Sequence, residues 1–149
     1  MFEVSSANTG DVYAIQQIYT ALRRPKRTRL SLDEYLVARG DGQVVGCAGV
    51  QLITVGSVCE GYLYGLAVRK EHQRKGIGAA LTEARIDRVR KSHGTRATAL
   101  AMFWNVAFFR GLGFATIRRS ELSPAILALD DFVDARYRRS AVMVRSVVL

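Results

Sequence analysis

Cysteine and proline are scarce, with two of each among 149 residues. So few cysteines exclude a small secreted scaffold stapled by disulfides. With 49% hydrophobic residues and so little proline, the chain is not disordered or low-complexity either. Two histidines, His72 and His93, lie far apart, and with Cys47 and Cys59 they form no metal-ligand spacing. Long apolar runs are also missing. The longest mostly apolar stretch, Val44 to Val58, is broken by Gly, Gln, Thr and Ser. It falls short of the roughly 20 apolar residues that a membrane helix needs. The start, Met1-Phe2-Glu3-Val4, has no basic segment followed by an apolar block, so no secretory signal is read and a cytoplasmic location is expected. There is no linker, repeat or low-complexity segment, and a single domain over residues 1–149 is expected.

Acidic residues are outnumbered: 13 Asp+Glu face 22 Lys+Arg, a formal charge of +9. Such an excess suits either a polyanion-binding surface or a site for a small, highly phosphorylated ligand. The basic residues fall in short clusters, among them Arg69-Lys70, Arg74-Lys75 and Arg118-Arg119. No helix-turn-helix, zinc finger or aromatic-studded RNA-binding strand accompanies them, so nucleic acid is not the expected partner.

The apolar pattern has two periods. Val12, Ile15, Tyr19 and Leu22 mark one face of a helix, with Asn8 or Thr9 as its cap and Pro25 past its end. Residues 30–36 form a short amphipathic stretch of unsettled class. Strand-like runs follow at 34–39, 44–52 and 62–68, the first two joined by an Asp41-Gly42 hairpin turn. Ile77, Leu81, Ala84 and Val89 then lie on a helical stripe that Gly94 stops. Strands at 95–102 and 114–117, a short helix at 106–112 and a last strand from Ala141 complete an α+β, mixed α/β order.

Chemistry concentrates between Leu66 and Leu81, where a strand ends, a basic turn follows and two glycines open a helix. The first turn of a helix carries unpaired N–H groups and the positive end of its dipole, so phosphates bind there. Gly76 and Gly78 lack the Cβ atoms that would hold a pyrophosphate off those amides. It is not a P-loop, because Lys75 precedes the glycine rather than following it. Nor is it the dinucleotide fingerprint, because Leu81 stands where the third glycine would be.

Gln73-Arg74-Lys75-Gly76-Ile77-Gly78 resembles the Q/R-x-x-G-x-G/A signature of the GNAT superfamily of acyl-CoA-dependent N-acetyltransferases. Leu66-Ala67-Val68 resembles the strand placed before that signature, and Asn105 to Phe114 is similar to the family's asparagine-led helix and its Gly-Phe turn. The Asp41–Gly46 hairpin is similar to its second and third strands. The resemblance covers residues 35–117 in the right order. It implies a single GNAT domain whose mostly antiparallel mixed sheet, flanked by helices, splays between strands four and five to hold acetyl-CoA.

Carried onto this sequence, the resemblance implies that the amides of Arg74, Lys75, Gly76, Ile77, Gly78 and Ala79 hold the pyrophosphate behind Gln73. Leu66, Ala67 and Val68 would meet the pantetheine arm and thioester, with a backbone N–H near Val68 as the oxyanion contact. Asn105, Phe108 and Phe109 would complete the cofactor site. The family's proton-donating tyrosine is Phe109 here, which cannot donate and is expected to act as a hydrophobic wall. Glu60 is the acidic residue nearest the fourth strand and the candidate general base, two residues ahead of Tyr62, where the family's glutamate would align. Tyr62 and Tyr64 are candidates to line the acceptor pocket, and Arg29 to hold an acceptor carboxylate.

Val45–Val50, Phe108-Phe109, Arg118–Pro124 and Arg138–Val144 are together similar to the acetyltransferase domains of N-acetylglutamate synthases. The expected reaction is transfer of the acetyl group of acetyl-CoA to a primary amine, that of a small, glutamate-like amino acid. Alternatives are a protein or peptide N-acetyltransferase and a non-catalytic acyl-CoA- or polyanion-binding module. No membrane partner is expected, and a homodimer is compatible with the sequence.

Overall fold

The computed structural model describes residues 1–24 and 30–148. Its seven strands are β1 (Phe2–Ser6), β2 (Tyr35–Gly40), β3 (Gln43–Val55), β4 (Val58–Val68), β5 (Arg96–Ala101), β6 (Ala115–Ile117) and β7 (Ala141–Ser146). They form one sheet in the order β1-β2-β3-β4-β5-β7-β6. β4 and β5 pair in parallel, while β1–β2, β2–β3, β5–β7 and β6–β7 pair antiparallel. The helices are α1 (Val12–Ala21), α2 (Ile77–Lys91), α3 (Val106–Gly111), α4 (Pro124–Leu127) and α5 (Asp130–Val133). This is the expected α+β class. A parallel pair needs a long crossover, and α2 supplies it between β4 and β5. The parallel ladder covers Glu60–Leu63 against Arg96–Ala99, and β4 itself continues to Val68.

The chain groups into two compact units, Met1–Val50 with Tyr64–Asp87, and Gln51–Leu63 with Arg88–Leu149. In the first, the β2–β3 turn has Asp41 at φ 54° and Gly42 at φ 76°, two left-handed residues in the manner of a type I′ hairpin. Asn8 and Asp11 form a capping box around the turn that leads into α1. Arg39 from β2 clamps the Asp11 carboxylate at 2.8 and 2.6 Å. That contact, chiefly, holds the Asp11 carboxyl below its usual range. Of the expected α1 stripe, Ile15 and Tyr19 are buried and Ile18 joins them. The sheet here has an apolar cluster on each face. One contains Ile15, Ile18, Tyr19, Tyr35, Val37 and Cys47. The other holds Leu36, Ala38, Val45, Ala48, Ile77 and Leu81. The stretch of unsettled class resolves into a 3-10 turn at Leu32–Glu34 followed by β2. Pro25 lies outside the described residues.

In the second unit, β5, β7 and β6 carry α3 and a segment that the sequence pattern left unassigned. Residues 119–137 fold into 3-10 turns and the short helices α4 and α5, with Ser123 capping α4 and Pro124 in its first turn. Leu122, Ile126 and Val142 anchor them, with Ile53, Leu100, Ile117 and Phe132 packed alongside. Gly61 is required by close packing, since a Cβ there would sit 2.2 Å from Val89 Cγ2. Among the described residues, no helix is long and apolar enough to cross a membrane.

Candidate active site

The turn from β4 into α2 is built to present backbone amides. Arg69 is pinned to β3, its N–H donating to the Val45 carbonyl at 2.8 Å and its Nε to that of Val44 at 3.0 Å. After a 3-10 turn at Lys70–His72, Gln73 is extended, Arg74 is left-handed at φ 64° and Gly76 at φ 83°. Such reversals of backbone hand turn successive N–H groups into a concavity that suits an anion. Ala80 N–H donates to the Gly76 carbonyl at 3.0 Å. The amides of Ile77, Gly78 and Ala79 therefore precede that first helical bond and are the donors a helix start leaves for a ligand. Nothing lies within 4 Å of where a Gly76 Cβ would be, and Arg74 and Lys75 are exposed. Buried Ile77 and Leu81 fix the other side of the helix in the core. This loop fits a pyrophosphate.

Upstream, β4 changes face. In a regular strand Tyr64, Leu66 and Val68 would share one side. Instead Tyr64 and Ala67 pack in the cluster around α1, and Leu66 and Val68 in the cluster around the start of α2. Gly65 causes the switch: its φ of 67° is left-handed, and a Cβ there would lie 2.5 Å from the Tyr19 hydroxyl. Tyr19 Oη donates to the Gly65 carbonyl at 2.6 Å and pairs with Tyr35 Oη at 2.8 Å. Arg24 donates to the Leu66 carbonyl at 2.8 Å, and Gln73 Nε2 to that of Val68 at 3.0 Å. The Leu66 and Val68 carbonyls thus already have partners, and the N–H side of the segment is what it can offer a thioester. Arg85, buried on α2, reaches the carbonyls of Gly49 at 3.2 Å and Tyr64 at 3.4 Å and so ties the helix to both strands. Burial pushes the Cys47 thiol up to about 11 and, with the neighbouring Cys47 and Tyr35, raises the Tyr19 hydroxyl further still. Cys47 is a protonated core residue, as its apolar strand suggests.

In the second unit, both oxygens of the Glu60 carboxylate are taken. Oε1 accepts from Arg96 Nε at 2.9 Å and Oε2 from the Ser123 hydroxyl at 3.0 Å, at 8% residue exposure. These three residues line an open groove of about 580 Å³ with Thr95, Glu121 and Ser146. Tyr62 is buried, donates to Asp131 Oδ2 at 2.7 Å and meets Phe132 edge-on. Tyr64, in the first unit, donates to Glu34 Oε1. Phe109 is buried in an aromatic stack, its centroid 5.2 Å from Phe108 and 5.3 Å from Phe114. Asn105 is half-buried at the start of α3, and its side chain makes no capping hydrogen bond.

The first unit brings Tyr64, Leu66, Ala67, Val68 and the 73–79 loop together. The second holds Glu60, Tyr62, Asn105, Phe108 and Phe109. Arg29 lies outside the described residues. The sequence reading missed Tyr19, Arg24, Glu34, Arg85, Arg96, Ser123 and Asp131. Most of their partners lie 21 to 69 positions away, as in Arg85–Tyr64 and Tyr62–Asp131, beyond the reach of any local period.

A mixed sheet whose fourth strand runs through a left-handed glycine into an amide-lined helix start defines an acyl-CoA-binding transferase fold. The chain belongs to the acetyltransferase (GNAT) family, which matches residues 6–114. Enzymes of this family take the acetyl group from acetyl-CoA. Among solved structures, N-acetylglutamate synthase from Neisseria gonorrhoeae, complexed with coenzyme A and N-acetyl-glutamate, is 25% identical with a TM-score of 0.85. That alignment covers 100% of this chain and 36% of the synthase, so the chain spans about one third of that relative's length. Rv2747 from Mycobacterium tuberculosis, in complex with CoA, is 22% identical over 98% of this chain and 99% of its own, with a TM-score of 0.82. Arabidopsis thaliana Naa50, bound to the bisubstrate analogue CoA-Ac-MVNAL, is 17% identical over 97% and 98%, with a TM-score of 0.73. No curated protein matched the sequence.

Proposed function

We propose that the chain transfers the acetyl group of acetyl-CoA to the primary amine of a small amino acid, with a glutamate-like acceptor. The loop at 73–79 carries the reading: two left-handed residues, three amides ahead of the first helical bond and an exposed glycine with open space around it. The amides from Arg74 to Ala79 bind the pyrophosphate, and Arg74 and Lys75 add charge beside it. Acetyl-CoA brings an acyl group already activated as a thioester. The chain's task is to hold it, polarise its carbonyl and receive a neutral amine. Backbone N–H groups of β4 after Gly65 supply the polarisation, a contribution of about 10²–10³ in rate for a well-placed donor. The α-ammonium of a free amino acid sits beside its own carboxylate and titrates above the value of about 8 of a peptide amino terminus, so at neutral pH its loss of a proton costs more than about 1 kcal/mol. Phe109 has no proton to give, so proton delivery at that position falls to water or to the acceptor's own ammonium.

The acceptor assignment rests on the basic balance of +9, which favours an acidic amino acid, and on the likeness to a synthase solved with N-acetyl-glutamate. Incubation with [14C]acetyl-CoA and a panel of amino acids, with free thiol as the second readout, tests it. Label on glutamate or a close relative is expected. Label on peptides alone would replace the acceptor, and CoA binding without transfer to any amine would overturn the activity.

A further inference from the structure

We propose that Tyr19 is a positioning residue for acetyl transfer: its hydroxyl holds the Gly65 carbonyl, the guanidinium of Arg24 holds that of Leu66, and together they aim the Leu66 amide at the thioester carbonyl. The inference deepens the acetyltransferase reading and rests on it. In an extended strand successive carbonyls point to opposite sides. Here two successive carbonyls, Gly65 and Leu66, both accept from side chains at the C-terminal end of α1, Tyr19 at 2.6 Å and Arg24 at 2.8 Å. The left-handed φ of 67° at Gly65 makes that geometry accessible. Each peptide is planar and trans, with no cis bond among the described residues. The N–H of Leu66 therefore points opposite the Gly65 carbonyl, while Ala67 turns its polar groups to β3, its carbonyl lying beside Gly46. Holding the Gly65 and Leu66 carbonyls fixes both peptides that flank Leu66 and so aims its N–H, a backbone donor of the kind that stabilises an oxyanion.

Tyr19 suits the task. It is 2% exposed, and Tyr35 Oη at 2.8 Å fixes the rotation of its hydroxyl. Burial keeps that hydroxyl protonated, so it remains a donor at every working pH. The space leaves no alternative at Gly65, because a Cβ would meet the Tyr19 hydroxyl at 2.5 Å and that of Tyr35 at 3.1 Å. Tyr19 is assigned no contact with cofactor or acceptor. It acts through the peptide that it holds.

The test reads the thioester carbonyl directly and needs no acceptor. The 13C resonance of [1-13C]acetyl-CoA is recorded free and bound to the wild type, Tyr19→Phe, Tyr35→Phe and Arg24→Met, with the Kd of CoA measured on each. The wild type is expected to shift the carbonyl resonance on binding. Tyr19→Phe should lose half or more of that shift while the Kd stays within about threefold, because the pyrophosphate loop is intact. Tyr35→Phe, which spares the Gly65 bond, should keep the shift. Arg24→Met changes an exposed side chain and gives an independent arm should Tyr19→Phe fail to fold, with a partial loss expected. A full wild-type shift in Tyr19→Phe, or in Arg24→Met where that arm decides, would overturn the inference and leave the acetyltransferase reading standing. Wild type that binds no acetyl-CoA at all would overturn both.

Discussion

Replacing Gly78 with glutamate should move stability and cofactor affinity in opposite directions. Gly78 is the second residue of α2, one of the three whose amides precede the Gly76–Ala80 bond. In the free protein an acidic side chain there lies at the positive end of the helix dipole, worth about 0.3–1 kcal/mol. Replacing a helical glycine by a better helix former adds about 0.5–1 kcal/mol. The melting temperature should therefore hold or rise by a few degrees. With CoA the sign reverses, because a carboxylate about 5 Å from a phosphate at an effective dielectric of 20 is opposed by about 3 kcal/mol. That corresponds to about a 10²-fold loss of affinity. Gly78→Gln has the same size without the charge and should lose much less. Calorimetric titration of CoA into the three proteins, beside thermal melts, makes the comparison. Equal CoA affinity in Gly78→Glu and wild type would refute the placement of the pyrophosphate at this helix.

Glu60→Gln should lower the melting temperature, since a buried carboxylate held by Arg96 and Ser123 is replaced, yet leave the transfer rate within about threefold. A drop on the order of 10²-fold at neutral pH, shrinking at high pH, would instead mark Glu60 as the general base. Phe109→Ala should cost about 3–5 kcal/mol of stability through the emptied aromatic stack, read by denaturant unfolding, and a stable variant deficient only in the chemical step would contradict the wall assignment. Asp11 has its carboxyl held low by Arg39. Its contribution is complete above the ordinary carboxylate value and is lost as pH falls from there through its folded value. Asp11→Asn should cost about 2 kcal/mol at pH 7, less than a fully buried pair because Arg39 is partly exposed. The gap from wild type should narrow below about pH 4, and an unchanged gap down to pH 2 would remove the pair from the acid response.

Local chemistry was enough to mark the strand–turn–helix at 66–81, because glycine spacing, helix-start donors and a change of apolar period all act within a few residues. The Asp41-Gly42 hairpin was legible for the same reason, as its two left-handed residues are the pair such a turn requires. The helices of residues 119–137 were not, because four-residue helices show no period and form only where Leu122 and Ile126 find a surface to cover. The site residues divide along the same line. Amide donors at 74–79 follow from sequence. The partners of Glu60, Tyr62 and Tyr64 are Arg96 with Ser123, Asp131 and Glu34, which come from distant segments. The face switch at Gly65 belongs to the tertiary structure as well. A glycine permits a left-handed residue but does not demand one; the buried Tyr19 and Tyr35 hydroxyls exclude a Cβ there, and Tyr19 holds the Gly65 carbonyl in that conformation.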